Sequence, residues 1–389
     1  MVRSGPIIIA ISLALSGATG APSAPLVAQL DGHLPVWLAP GVTLAAAGSA
    51  DPGSVIAVER AGVAIASTTV GEDGRFSVRA VLSRAGPHRV TATSSAGLVS
   101  LGTVLVRPLR LAAVGDVTFG GPVGEAIAAR GAAYPWQSTG RILRGADIAT
   151  ANLEGVVSTR GQPVPDKEFH FRGPPSALTA ARRVAGLDVM SVANNHTLDF
   201  GPVAFLDTLR IARRNGIATV GGGANVVVAR RPVIVKRGGM RVAFLGYSDV
   251  RPDGFTAARS IAGTAPADAA AIRVDVVSAR RRADVVIVWV HWGAELARRV
   301  DSRQRRFASA ALNAGAHAVL GSHPHVLQNV VRPTPRALVA WSLGNFVFAP
   351  HSPGTERTGI LHLDLARDGV RAHRLQRARI VGVQPRLVG

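Results

Sequence analysis

Apolar and polar positions change their rhythm near residue 108. Before it, short apolar runs at 42–45, 54–59, 75–78 and 88–93 are separated by Pro40-Gly41, Asp51-Pro52-Gly53, Glu72-Asp73-Gly74 and Ala85-Gly86-Pro87. Evenly spaced short strands with Gly, Pro and Asp turns predict a small antiparallel β-sandwich over residues 26–107. No catalytic constellation falls in it, so a spacer or wall-facing adhesion module is expected there. From residue 109 strand-like runs alternate with helical ones. Strands are predicted at 109–114, 148–151, 188–193, 240–246, 284–290, 316–321 and 337–342, and helices at 124–130, 175–184, 202–214 and 302–313. Such alternation implies an α/β domain over 109–389 built on a largely parallel sheet. A closing pair at 358–365 and 370–379 is expected to add antiparallel edges.

The first residues follow neither pattern. Arg3 precedes the apolar run 7–15, and small residues follow it, among them Ala18, Gly20 and Ala21. A positive start, a short apolar core and a small-residue exit predict a signal peptide over 1–24, with the mature chain starting between residues 19 and 25. The run is too short to span a bilayer comfortably. A secreted or envelope-associated protein is therefore expected.

Composition narrows the chemistry only a little. The 389 residues are 47% hydrophobic, ample for a core, and contain no cysteine, so packing and metal ligation must replace disulfides. The formal charge of +20 comes almost wholly from arginine, since Lys167 and Lys236 are the only lysines. Such a charge favours polyanions. The arginines are scattered and no nucleic-acid module accompanies them, so an anionic extracellular polymer or a phosphate-containing substrate is expected, and nucleic acid is not.

Five segments each place a potential ligand or acid–base group just after an apolar run. They are Gly115-Asp116, Asn152-Leu153-Glu154, Asn194-Asn195-His196, His291-Trp292-Gly293 and Ser322-His323-Pro324-His325. Parallel strands deliver their C-terminal ends to one site in open α/β sheets. Asp116, Glu154, Asn195, His291, His323 and His325 together make a mixed oxygen and nitrogen donor set for one or two divalent ions such as Mn, Zn or Fe. In a two-metal site a carboxylate such as Glu154 can bridge, and His196 is placed to protonate a departing oxygen. Asn152 and Asn345 are expected beside the metals; Trp292 either walls the site or packs against it, and Arg172 is either an anion clamp or a surface ion pair. Asp199 and Gly201 are expected to cap and start a helix.

The ordered set Gly115-Asp116-Val117, Asn152-Leu153-Glu154, Phe169-His170-Phe171-Arg172-Gly173-Pro174-Pro175, Ala193-Asn194-Asn195-His196, His291-Trp292-Gly293 with Glu295, Gly321-Ser322-His323-Pro324-His325 and Ser342-Leu343-Gly344-Asn345-Phe346 resembles the bacterial capsule synthesis protein CapA family. That family is associated with poly-γ-glutamate capsule production and is related to calcineurin-like metallophosphoesterases. The resemblance implies a four-layer sandwich, two β-sheets face to face with helices outside. It also implies that Asn195 ligates metal while His196 contacts the substrate. The parent superfamily carries a His two positions after the first Asp, where this chain has Thr118. The region over 26–107 resembles bacterial immunoglobulin-like modules. Two functional readings follow: an exported metal-dependent hydrolase of phosphate esters or of amides in an acidic polymer, or a non-catalytic metal-binding accessory working with other capsule synthesis proteins.

Overall fold

A computed structural model describes residues 25–388. The expected signal peptide over 1–24 lies outside the described residues. Backbone contacts divide the chain into two compact units, between Pro108 and Leu109.

In the first unit, a three-stranded sheet runs Ala28–Leu30, Val42–Ala50, Arg75–Leu82, and a five-stranded sheet runs Trp37–Leu38, Gly97–Val106, Gly86–Ser94, Val55–Arg60, Val63–Thr69. All pairs are antiparallel except the short Trp37–Leu38 strand against Gly97–Val106. The period-two pattern is clean in Arg75–Leu82, where Phe76, Val78, Ala80 and Leu82 are buried and the residues between them are exposed. One face of such a strand packs inward and the other meets water. The Val63–Thr69 strand is absent from the sequence expectation. It is almost wholly exposed, so no buried alternation marks it.

The second unit holds two larger sheets. The eight-stranded one runs Ala218–Val220, Leu187–Ser191, Ile148–Leu153, Leu109–Val117, Arg357–Ala366, Gly369–Val381, Gln384–Leu387, with Asn345–Val347 also paired to Leu109–Val117. Its first four strands are parallel, and Arg357–Ala366 and its successors are antiparallel. The six-stranded sheet runs Val233–Arg237, Met240–Ser248, Val285–His291, Ala318–Ser322, Ala337–Ala340, Val330–Thr334, parallel in its middle four. Parallel strands buried on both faces read as continuous apolar runs, and every residue of Val285–His291 is buried.

Trp289 of the smaller sheet donates its Nε1–H to Thr150 Oγ1 of the larger at 3.0 Å, which fixes the two sheets face to face. On the outer side of the larger sheet, Ala112, Val114, Ala149 and Ala151 pack in one core with Ile127, Leu178 and Phe205 from helices Gly121–Arg130, Ser176–Arg183 and Gly201–Arg214. On the outer side of the smaller sheet, Ala243, Leu245, Val286 and Val288 pack with Ile272, Val276, Phe307 and Ala311 from helices Ala269–Arg280 and Ser302–Asn313. The expected α/β four-layer arrangement is therefore present. The helix Ala269–Arg280 escaped the sequence reading, although Asp268 caps it by accepting from Ala271 N at 2.8 Å. Both sets of parallel strands end on the same side, and the ligand candidates sit at those ends.

Candidate metal centre

Asp116 lies one residue from the end of its strand and is completely buried. Its Oδ1 accepts from Asn152 Nδ2 at 2.8 Å and its Oδ2 from the backbone N–H of His323 at 3.2 Å. Gly115 makes this approach possible. A Cβ at that position would stand 1.8 Å from Gly344 O, while Asp116 N donates to the same carbonyl at 2.9 Å. The backbone of the Asp116 strand thus lies directly against the turn that leads to Asn345.

Asn152 is the hub of the polar network. Its Oδ1 accepts from Asn194 Nδ2 at 3.1 Å, and its Nδ2 lies 3.4 Å from His291 Nδ1. His291 ends its strand with Nδ1 3.0 Å from Ser322 Oγ and with Nε2 donating to Asn195 Oδ1 at 2.7 Å. Asn195 and His291 are therefore closed on each other by a hydrogen bond. Burial, then the neighbouring His323 and His325, holds the His291 imidazole well below its ordinary pKa, which keeps it neutral.

Glu154 follows the Ile148–Leu153 strand and is fully buried. Neither of its oxygens has a hydrogen-bond partner among the described residues. Its Oε1 lies 3.8 Å from His325 Nε2 and 3.9 Å from His196 Nε2. Those separations are too long for hydrogen bonds. Two donors about 2.1 Å from one ion at near-tetrahedral angles stand about 3.4 Å apart, so the spacing suits a shared cation better. Burial, then the Asp116 charge, raises the Glu154 carboxyl well above its ordinary range, and burial lifts Asp116 to about 7.

His323 and His325 adopt φ of 95° and 57°, left-handed values that cost energy for side chains of this size. The structure holds them there on either side of Pro324. His325 Nδ1 donates to Asn345 Oδ1 at 2.8 Å, which leaves the Nε2 lone pair facing Glu154. Asn345 Nδ2 and His323 Nδ1 are buried without partners among the described residues. Burial pulls His323 down to about 4 and His325 to about 3, so both rings present lone pairs at neutral pH.

All six expected ligands are thus brought together, with Asn152 and Asn345 beside them. Asp116, Glu154 and His325 each offer a donor atom within 4.8 Å of the others. These orphaned donors and the His-plus-carboxylate set fit a divalent ion.

Two further expected neighbours do not face the centre. Arg172 stacks 3.6 Å over Phe200 and donates to the Arg160 and Gly161 carbonyls, so its guanidinium is committed to a loop and not to an anion at the centre. Trp292 is buried in the core of the smaller sheet and donates Nε1–H to Trp341 O at 2.8 Å, the packing role among its two expected ones.

Asp199 corrects a third expectation. The helix Gly201–Arg214 has no side-chain cap. Asp199 instead accepts from Phe171 N at 2.7 Å, pairs with Lys167 and holds His196 Nδ1 at 2.8 Å. Lys167 was unmarked by any strand end. Its Nζ donates to Asn195 O at 2.7 Å and lies 2.9 Å from His196 Nδ1. The only sequence signal for it was its rarity in an arginine-rich chain. Burial lowers the His196 pKa, against the pull of Asp199.

A family model described as bacterial capsule synthesis protein PGA_cap matches residues 110–350. The PGA biosynthesis protein CapA of Bacillus subtilis (strain 168) is 30% identical over 258 residues, covering 66% of this chain and 67% of that protein. The capsule biosynthesis protein CapA of Bacillus anthracis is 29% identical over 270 residues, covering 67% of this chain and 65% of that protein, a little under two thirds of its length. Among solved structures, a 5'-nucleotidase precursor from Thermus thermophilus overlays at a TM-score of 0.40 with 14% identity, covering 71% of this chain and 56% of that one. The assignment rests on the family-model match, which spans every segment of the polar cluster, and on the CapA relative: the chain belongs to the bacterial capsule synthesis protein PGA_cap family.

Proposed function

We propose that this protein is an exported metal-dependent hydrolase that acts on a phosphate ester or on an amide bond of an acidic envelope polymer such as poly-γ-glutamate. The observation that carries the reading is Glu154: a fully buried carboxylate with both oxygens unbonded, facing the ring nitrogens of His325 and His196. A buried charge without partners is costly unless an ion completes it. Asp116, Glu154 and His325 would hold that ion, with Asn195, His291 and His323 adjoining. A divalent ion there would polarise the scissile phosphoryl or carbonyl oxygen and make water a usable nucleophile near neutral pH.

The chain's own residues supply the rest. Asp199 accepts from His196 Nδ1–H and aims Nε2 toward Glu154. In the imidazolium form, which Asp199 favours against the effect of burial, the Nε2 proton can pass to the leaving oxygen or nitrogen. Phe171, with its ring centroid 4.4 Å from that of His196, covers the imidazole from water. Lys167 ties the segment before Phe171 to the Asn195-His196 turn, so the acid candidate and the covering ring move as one piece. The family's capsule association and the expected signal peptide support an envelope location. Among the described residues no helix is long and apolar enough to cross a membrane.

The test is elemental analysis of the purified protein, coupled to assays on p-nitrophenyl phosphate and on poly-γ-glutamate with added Mn²⁺, Zn²⁺ or Fe²⁺. Bound metal with cleavage of either substrate supports the reading. Bound metal without cleavage under any of these conditions would replace it with a non-catalytic accessory role.

A further inference from the structure

Glu295 belongs to none of the ligand positions carried over from the superfamily, yet the fold brings it to the same centre. Its carboxylate, a His323 nitrogen and a His325 nitrogen lie within 4.8 Å of one another. Two main-chain bonds make this no accident of a loose loop. Trp292 N donates to Ser322 O at 3.1 Å and Leu296 N donates to Pro324 O at 2.9 Å, so the Glu295 segment is stitched to the His323-Pro324-His325 turn on both sides. Leu296 is held at φ 58°, a left-handed value rare for a branched side chain, and such strain persists only where surrounding contacts impose it.

The His side of the group is open as well. His323 is buried and its Nδ1 has no partner among the described residues. Thr118, at the position where the superfamily has a histidine, accepts from Gly120 N at 3.3 Å and offers no nitrogen. The carboxylate that reaches this side of the centre comes instead from the loop after the Val285–His291 strand.

We propose that Glu295 is a metal ligand, and that with His323 it forms a second divalent-cation position beside the one formed by Asp116, Glu154 and His325. The inference rests on the metal-centre reading above and fixes the number of ions at two. His325 belongs to both groups and stands between the positions. Glu295 is exposed, whereas Asp116 and Glu154 are buried, so the second ion is the one that meets solvent and exchanges first. It is also the one nearer to an entering anionic substrate.

The experiment measures Mn²⁺ uptake by equilibrium dialysis with elemental analysis, together with low-temperature electron paramagnetic resonance, on the full chain and on Glu295→Gln and Glu154→Gln. The expected wild-type result is two Mn²⁺ per chain, with a spin-coupled spectrum. Glu295→Gln should keep one tightly bound Mn²⁺ with an uncoupled spectrum and bind the second at least about tenfold more weakly, since even outer partners of ligands are worth 10–100-fold in affinity. Because Glu295 is exposed, its replacement leaves the core intact, which circular dichroism will verify. Glu154→Gln should weaken the other position. Two Mn²⁺ bound by Glu295→Gln with wild-type affinities would overturn the proposal, as would a single Mn²⁺ in the wild type, and either result leaves the metal centre standing. A wild type that binds no Mn²⁺, Zn²⁺ or Fe²⁺ would remove the metal centre itself.

Discussion

Replacing Glu154 by Gln should stabilise the metal-free protein and weaken the metal-loaded one. Both carboxylate oxygens are buried and unbonded, so the substitution breaks no hydrogen bond and keeps the shape. An unsatisfied buried polar or charged group costs about 1–3 kcal/mol or more, and Gln removes the part due to charge. At pH 8 in EDTA, Glu154→Gln should therefore exceed the wild type by about 1–3 kcal/mol, or roughly 2–4 °C in Tm for each kcal/mol. The pH dependence has a definite sign. The folded pKa is raised above the ordinary 4.5, so above pH 4.5 the unfolded chain releases a proton that the folded chain retains. The wild-type penalty is then absent below pH 4.5 and grows as pH rises toward the folded pKa, and the advantage of Gln must shrink as acid is added. Saturating Mn²⁺ should reverse the order. A ligand at 100 times its Kd stabilises the native state by about 2.7 kcal/mol, and the variant should gain much less. Calorimetric melts in EDTA and in Mn²⁺ at pH 5 and pH 8 give all four comparisons. A variant less stable than the wild type in EDTA at pH 8, or one with an undiminished Mn²⁺ shift, would refute the reasoning.

His196→Ala should retain bound metal but lose roughly 10²–10⁴-fold in rate on substrates with poor leaving groups, whereas His323→Ala should lose metal and slow good and poor substrates alike; equal metal loss in the two variants would make His196 a ligand. His317 accepts from Val286 N through Nδ1, and burial, then Arg280, pulls its pKa from 6.5 to about 4. Between those values the unfolded chain binds the extra proton, so the wild type should lose up to about 3 kcal/mol relative to His317→Gln as pH falls from 6.5 to 4, read from urea unfolding at each pH; parallel pH curves would contradict it. Gly115→Ala forces a Cβ to 1.8 Å from Gly344 O. Overpacking costs about 1–3 kcal/mol where side chains can yield, and more against backbone, so the urea midpoint should drop sharply; an unchanged midpoint would show that the two segments are not locked together.

The cluster of candidate ligands was legible because parallel strands obey a position rule. Asp116, Glu154, Asn195, His291 and the two histidines each follow an apolar run, and strand ends on one edge must converge. Elements without contrast were missed. The Val63–Thr69 strand exposes nearly every residue, and Asn345–Val347 is only three residues long. Residues whose importance comes from tertiary contact were misread. Arg172 has the chemistry of an anion clamp, but Phe200 and two loop carbonyls occupy it. Asp199 sits just before a helix as a cap should, but His196, Phe171 N and Lys167 claim both of its oxygens. No period along the chain records that Lys167, twenty-nine positions from His196, arrives at its ring.

The contact of Gly115 with the Leu343-Gly344 turn also fixes when the centre can come into being. Asp116 and Asn345 pair across neighbouring strands although 229 positions separate them, and His325 needs Asn345 to orient its ring. Pairings between such distant segments form late, because long loops must close before they are rewarded. A chain emerging from the ribosome, or threading through a membrane channel, carries scattered histidines and carboxylates but no assembled ligand sphere. Any ion that the centre takes up is then acquired only after the fold is complete, in whatever compartment the folded protein occupies.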